Sequence, residues 1–101
     1  MQLTIGQQED LRVACLEFLV IRYPNAYRAD AIGRMLTRRQ RIDFNVLSSE
    51  VTAALTFLLE EGFSVRIFDS LAMVPSWQAT SKGVSHYQRK RVEENPAEGE
   101  V

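Results

Sequence analysis

Hydrophobic positions recur along the chain in two rhythms, and the changes between them divide it into elements. Over residues 46–63, VLSSEVTAALTFLLEEGF, Leu47, Val51, Ala54, Leu55 and Leu58 share one helical face. Ser49, Thr52, Ala53, Thr56 and Glu60 share the opposite one. The spacing predicts a core-facing helix with an exposed face of small residues. Gly62 closes it, since glycine is favoured just past a helix end. From Phe63 to Phe68 the rhythm changes to alternation among strand-forming residues. The helix therefore runs straight into a strand.

Upstream, a helix is expected from about Gln7 to Arg22, after Gly6 and with Glu9 and Asp10 in its first turn. Leu11, Ala14, Cys15, Phe18 and Leu19 form its main apolar face, and Val13, Leu16 and Val20 form a second stripe. A helix apolar on two sides is central or shared with a partner. The second stripe is read as a dimer seam, because a chain this short has little left to cover it, with cover by the C-terminal helix or the N-terminal segment as the competing reading. Pro24 ends the helix.

A shorter helix follows over about Arg28–Thr37, with Ala29, Ile32, Met35 and Leu36 inward and its cap among Asn25, Ala26 and Tyr27. Gly33 costs this helix about 1 kcal/mol against alanine, which points to a close helix neighbour. A short strand is expected around Arg41–Phe44, and Asn45 or Ser48 as cap of the third helix. Past Phe68, Asp69-Ser70 signals a turn, and a second strand over about Ala72–Gln78 pairs back, with Pro75 at an edge or bulge. Thr80 then caps a last helix over about Ser81–Arg91, with Val84 and Tyr87 inward. Trp77, Phe63, Phe68 and Tyr87 read as core or hairpin packing.

Composition narrows the class. The chain has 101 residues, 46% apolar and 25% charged, suited to one globular domain. Residues 1–92 form that domain, and 93–101 read as a disordered acidic tail containing Glu93, Glu94, Glu98 and Glu100. Without the tail, 12 basic residues face 9 acidic ones, a formal +3, so the mildly basic part is the folded part. No run approaches a membrane span or a signal peptide, so a cytoplasmic protein without membrane association is expected. Cys15, the only cysteine, lies in a helix pattern and is expected to be a buried, inert thiol. His86, the only histidine, has no partners at metal-ligand spacing. No nucleophile–base set, glycine-rich phosphate loop or framed carboxylate pair is present, so neither catalysis nor a cofactor is expected.

Three segments resemble one family. Ala31–Leu36 is similar to the second helix of winged helix-turn-helix domains. Val51–Phe63 is similar to their third helix and the start of the wing, and Trp77–Gly83 to the strand-to-helix exit of small bacterial regulators of the MarR and PadR type. The resemblance covers roughly residues 7–92. It implies an α+β, mainly α fold: a three-helix bundle, a two-stranded wing and a terminal helix. It also implies a third helix in the DNA major groove, a wing tip at 69–71 and dimers through terminal helices.

On that basis a DNA-binding transcriptional regulator or phage-type accessory factor is expected. Ser48, Ser49, Thr52 and Thr56 would face the groove, offering hydroxyls in place of the side chains that read bases bidentately. Arg38, Arg39 and Arg41, with Arg34 and the hairpin's Arg66, would supply phosphate contacts. For Arg38, Arg39 and Arg41 a solvated connector is the competing reading, and Arg28 is a further candidate. Arg89, Lys90 and Arg91 suit a helix C-terminus in any case. The other functional class left open is a protein-interaction module, contacting its partner through Phe57, Leu59 and Leu71.

Overall fold

The computed structural model describes residues 3–68, 71 and 73–94, the side chains of 93 and 94 excepted. Among these, the chain runs α1 (Ile5–Ile21), β1 (Tyr27–Arg28), α2 (Ala29–Arg38), α3 (Ser48–Glu60), β2 (Ser64–Ile67), β3 (Ser76–Ala79) and α4 (Ser81–Glu94). The three strands form an antiparallel sheet in the order β1-β3-β2. The last helix continues through Glu94, so the first two residues of the acidic stretch extend α4, and 95–101 lie outside the described residues.

The core forms where the apolar faces of α1, α2 and α3 meet. Leu11, Cys15, Leu19, Ile32, Leu36, Val51 and Leu55 are essentially inaccessible, and Trp77 of β3 seals one end. Gly33 lets α2 approach α3 closely, since a Cβ there would lie 3.2 Å from Val51 Cγ2.

Several local expectations change. α1 starts at Ile5, before Gly6, because Thr4 and Gln7 form a reciprocal capping box: Gln7 N donates to Thr4 Oγ1 at 3.1 Å, and Thr4 N to Gln7 Oε1 at 3.0 Å. α2 is preceded by Arg28, without a side-chain cap. The short strand lies at Tyr27–Arg28, not Arg41–Phe44, because β3 offers a free edge: Tyr27 pairs with Trp77 and Arg28 with Ser76. Residues 41–44 form bends, with Ile42 buried instead of alternating in a ladder.

The cap of α3 is Leu47, not Asn45 or Ser48, and its side chain is 55% exposed rather than inward. A leucine side chain accepts no hydrogen bond, so this N-terminus is stabilised by Glu50, whose Oε1 accepts from Leu47 N at 2.7 Å. Phe68, expected to pack, is exposed beyond the end of β2. The second hairpin strand begins four residues later than expected, after Pro75.

The junction of α3, the hairpin and α4 is tightly built. Gly62 has φ 82°, the left-handed geometry of a helix-terminating glycine. Thr80 Oγ1 donates to Gly62 O at 2.6 Å and accepts from Gly83 N at 3.0 Å, capping α4 as expected. Lys82 Nζ donates to Glu61 O at 3.1 Å, and Thr80 N to Phe63 O at 3.0 Å. Gly83 is required by proximity: a Cβ there would overlap the Phe63 carbonyl oxygen. Ser64, the one buried polar residue among those described, donates its hydroxyl to Leu55 O at 3.1 Å.

Candidate nucleic-acid interface

A groove of about 580 Å³ runs between α2 and the start of α3. Arg34, Thr37 and Arg38 line it from α2, and Asn45, Leu47 and Ser48 from the approach to α3. The helical period creates this arrangement. Ile32 and Leu36 turn α2 into the core, which leaves Arg34 and Arg38, one turn apart, together on the outer surface. Arg34 Nη2 lies 3.8 Å from Asp30 Oδ2 with its side chain mostly exposed. Such an exposed pair is weak and leaves most of the charge expressed.

Beside these arginines is the start of α3, where the Leu47 side chain accepts nothing from the first-turn amides. A helix N-terminus carries partial positive charge and attracts anions. Glu50 offsets part of that field, since its carboxylate sits in the same turn.

The hydroxyl row is arranged differently from a set of phosphate donors. Thr52 Oγ1 donates to Ser48 O at 2.9 Å, and Thr56 Oγ1 to Thr52 O at 2.8 Å. Both protons are spent inside the helix, leaving oxygens that can only accept. Thr56 is also half-buried, while Ser48, Ser49 and Thr52 are exposed.

The basic run before α3 is split by the fold. Arg34 and Arg38 share the groove with Ser48, but Arg39 and Arg41 turn toward α1. Arg41 Nη1 pairs with Glu17 Oε1 at 3.4 Å, and Arg39 lines a depression with Phe18, Ile21 and Arg22. Arg39, the C-cap of α2, follows Arg38 by about 100° of helical rotation and so faces another side, and Gln40, with φ 55°, breaks the helical path before Arg41. Arg28 pairs with Asp30 at 3.3 Å. Arg66 lies on the hairpin, 5.4 Å from the Phe68 ring centroid and 5.9 Å from that of Trp77.

One cation escapes sequence reasoning. The Arg12 guanidinium of α1 lies 3.9 Å over the Phe57 ring, on the flank of α3 away from α2. It lines a second groove, of about 350 Å³, with Glu50 and Ala53. Nothing in the local sequence joins Arg12 to Phe57, because the contact depends on how α1 crosses α3.

The other candidates have structural roles. Cys15 is fully buried, and burial pushes its thiol up to about 12. His86 stacks on Phe63 with centroids 4.2 Å apart. Among the described residues no group of three His, Cys, Asp or Glu could hold a metal, and no helix is long and apolar enough to cross a membrane.

The second stripe of α1 is divided. Val13 is exposed, but Leu16 is buried and Val20 packs against the core. Both Leu16 and Tyr87 line the α1–α4 junction, so the chain's own last helix covers part of this surface. Of the three seam residues, only Val13 remains open.

No family profile and no curated protein matches the chain. Its backbone is similar to a transcriptional regulator from Clostridium thermocellum, Cth-833, with TM-score 0.72 and 11% identity over 98% of this chain and 93% of that one. It is also similar to a PadR-like transcription factor from Bacteroides fragilis, with TM-score 0.70 and 14% identity over 95% and 90% of the two chains. A mutant of Lactococcus lactis ZitR aligns with TM-score 0.53 and 17% identity, over 98% of this chain and 57% of that one. The chain thus has the winged-helix fold, with β2 and β3 as the wing.

Proposed function

We propose that the chain is a non-enzymatic, cytoplasmic winged-helix protein that binds duplex DNA mainly through the phosphate backbone, as a transcriptional regulator or phage-type accessory factor. The observation that carries this reading is the pairing of Arg34 and Arg38 beside the start of α3. The two similar structures, described as a transcriptional regulator and a PadR-like transcription factor, support it. Ser48, Ser49 and Thr52 sit next to the arginines, while Thr56 is less accessible. With the threonine protons engaged, these helix residues contribute acceptors and backbone amides more than hydroxyl donors. Arg12 and Arg66 are secondary phosphate contacts, and Arg39 and Arg41 lie outside the main footprint.

A fluorescence-anisotropy titration of labelled duplex DNA against salt tests this. Binding is expected at ~50 mM NaCl and falls steeply with salt. Arg34→Ala and Arg38→Ala each weaken it and reduce the log–log salt slope by about 0.9. Arg39→Ala leaves the slope unchanged. Absence of duplex binding at low salt, or insensitivity to Arg34→Ala/Arg38→Ala, rejects the reading.

The protein acts as a homodimer in this proposal, through the outer face of α1 with α4. Val13, Ile21 and Val92 are 61%, 62% and 57% exposed there. A molecular-mass measurement in solution, repeated on Val13→Glu, tests the association.

A specific observation favours a second reading, a protein-interaction module. The wing is apolar and open: Leu71 is 92% and Met73 98% exposed, and Phe68 and Val74 are also accessible. Contiguous exposed apolar surface marks interaction sites. Phe57 and Leu59 pack partly against the core and are weaker contact candidates than Leu71. If Leu71→Asp abolishes capture of a host protein and leaves DNA binding intact, the wing serves a protein partner.

A further inference from the structure

α3 is flanked by cations on both sides. Arg34 and Arg38 of α2 line one groove with Ser48, and Arg12 of α1 lines the other with Ala53. Glu50 on the Arg12 side is engaged, its Oε1 accepting from Leu47 N. A helix is about 10–12 Å across with its side chains, and the DNA major groove is about 12 Å wide between two phosphate backbones. Cations on either flank therefore suit a helix seated in that groove. Yet α3, SSEVTAALTFLLE, contains no Arg, Lys, Asn or Gln, the side chains that read most base edges bidentately.

What its outer face does offer is narrow. Ser49, Thr52, Ala53, Thr56 and Glu60 share that face, and all but the half-buried Thr56 are exposed. Thr52 Oγ1 donates to Ser48 O at 2.9 Å, and Thr56 Oγ1 to Thr52 O at 2.8 Å. The tied hydroxyl restricts χ1 of Thr52 and so fixes its methyl group as well. At the middle of the face the chain thus presents an accepting oxygen and two methyl groups, those of Thr52 and Ala53. Glu60, farther along, also only accepts. In the major groove guanine shows two acceptors, which other acceptors oppose. Adenine and cytosine show an amino donor, and among the four bases thymine alone carries a methyl group.

We infer that α3 selects A·T base pairs by apolar contact of the thymine C5-methyl group with the methyl groups of Thr52 and Ala53. The Thr52 oxygen accepts from the adenine amino group. The flanking arginines hold the helix in register without reading sequence. Affinity then resides in the cations and selectivity in two small side chains. Methyl recognition presupposes the duplex binding proposed above.

Two alternating A·T duplexes, one with deoxyuridine in place of thymine, share a backbone and hydrogen-bonding edges and differ in the C5-methyl group. At ~50 mM NaCl, where phosphate contacts are strong, the native chain is expected to prefer the thymine duplex. The preference should be about fourfold per contacted methyl group, the gain from burying one such group. Thr52→Ser keeps the hydroxyl and removes the methyl, so it should lower the thymine-to-uracil affinity ratio and leave affinity for the uracil duplex unchanged. Arg38→Ala should weaken both duplexes by the same factor. Equal binding of the two duplexes by the native chain overturns methyl recognition and leaves the phosphate-based reading standing. A ratio unchanged in Thr52→Ser overturns the role of Thr52. Failure to bind either duplex at low salt overturns the DNA-binding reading and methyl recognition with it.

Discussion

Single side chains show how the same residue type takes different roles in this molecule. Arg12, Arg22 and Arg38 are all arginines on helices or at their ends, yet they do separate things. Arg12 stacks on Phe57, Arg22 covers Phe18 and donates to its carbonyl oxygen at 3.3 Å, and Arg38 lines an open groove. The inward faces could be read from spacing alone, because a buried leucine must recur with the helical period. The partner of a surface arginine could not, because it depends on packing between distant elements. Cys15 is the case where residue type was enough. Its thiol ionises near 9.0 when exposed and near 12 in the folded chain. Above pH 9 the unfolded state loses a proton that the folded state keeps. This contribution to stability is complete below pH 9 and falls as pH rises toward 12, by at most about 1.4 kcal/mol per unit. Urea unfolding at pH 8 and pH 10, compared with Cys15→Ala, should reveal the difference. A thiol reagent at pH 8 should react only at the rate of unfolding.

Elements were legible where periodicity was long and obscure where tertiary partners decided. All four helices and both wing strands follow from the pattern, whereas β1 does not. It has two residues and exists because β3 presents an edge to Tyr27 and Arg28. The start of α3 was misread for a related reason: Ser48 and Asn45 have capping chemistry, but Glu50 reaches back to stabilise the amide of Leu47 instead. The start of α4 followed its sequence. Thr80→Ala removes the cap and leaves Gly62 O without its donor, at an expected cost of about 1–2 kcal/mol in chemical unfolding. Gly83→Ala, which pushes a methyl group into the Phe63 carbonyl, should cost about 1–3 kcal/mol. Gly33→Ala should change stability less than Gly83→Ala does, since there the crowding is against one movable methyl of Val51 and the helix gains propensity.

Across the whole molecule, the cations fall into two separate groups, and exposed apolar side chains lie on the wing and on the α1–α4 face. Arg34 and Arg38 lie by α3, a second set of cations surrounds Ile21, and the exposed apolar residues Phe68, Leu71 and Met73 belong to the wing. Net charge conceals this, because −1 is the sum of a mildly basic domain and an acidic end. Proximity in sequence puts four arginines in one patch, whereas in the fold Arg34 and Arg38 line one groove and Arg39 and Arg41 another. The fold class was legible because it depends on element order, while the division of the site depends on the helical phase at the end of α2 and on how α1 packs beside it. Leu71→Asp/Met73→Asp should leave the unfolding midpoint unchanged, as neither side chain is buried, while lowering any tendency to self-associate. Light scattering at rising concentration would show it. The junction at Glu61–Phe63 carries a mechanical consequence. Lys82 holds the end of α3, Thr80 holds the glycine after it, and Gly83 admits the Phe63 carbonyl. These ties hold the end of α3 against the start of α4 across the base of the hairpin. A displacement at the start of α4 is therefore passed directly to the end of α3, while Val51, Leu55 and Leu58 anchor the rest of that helix in the core.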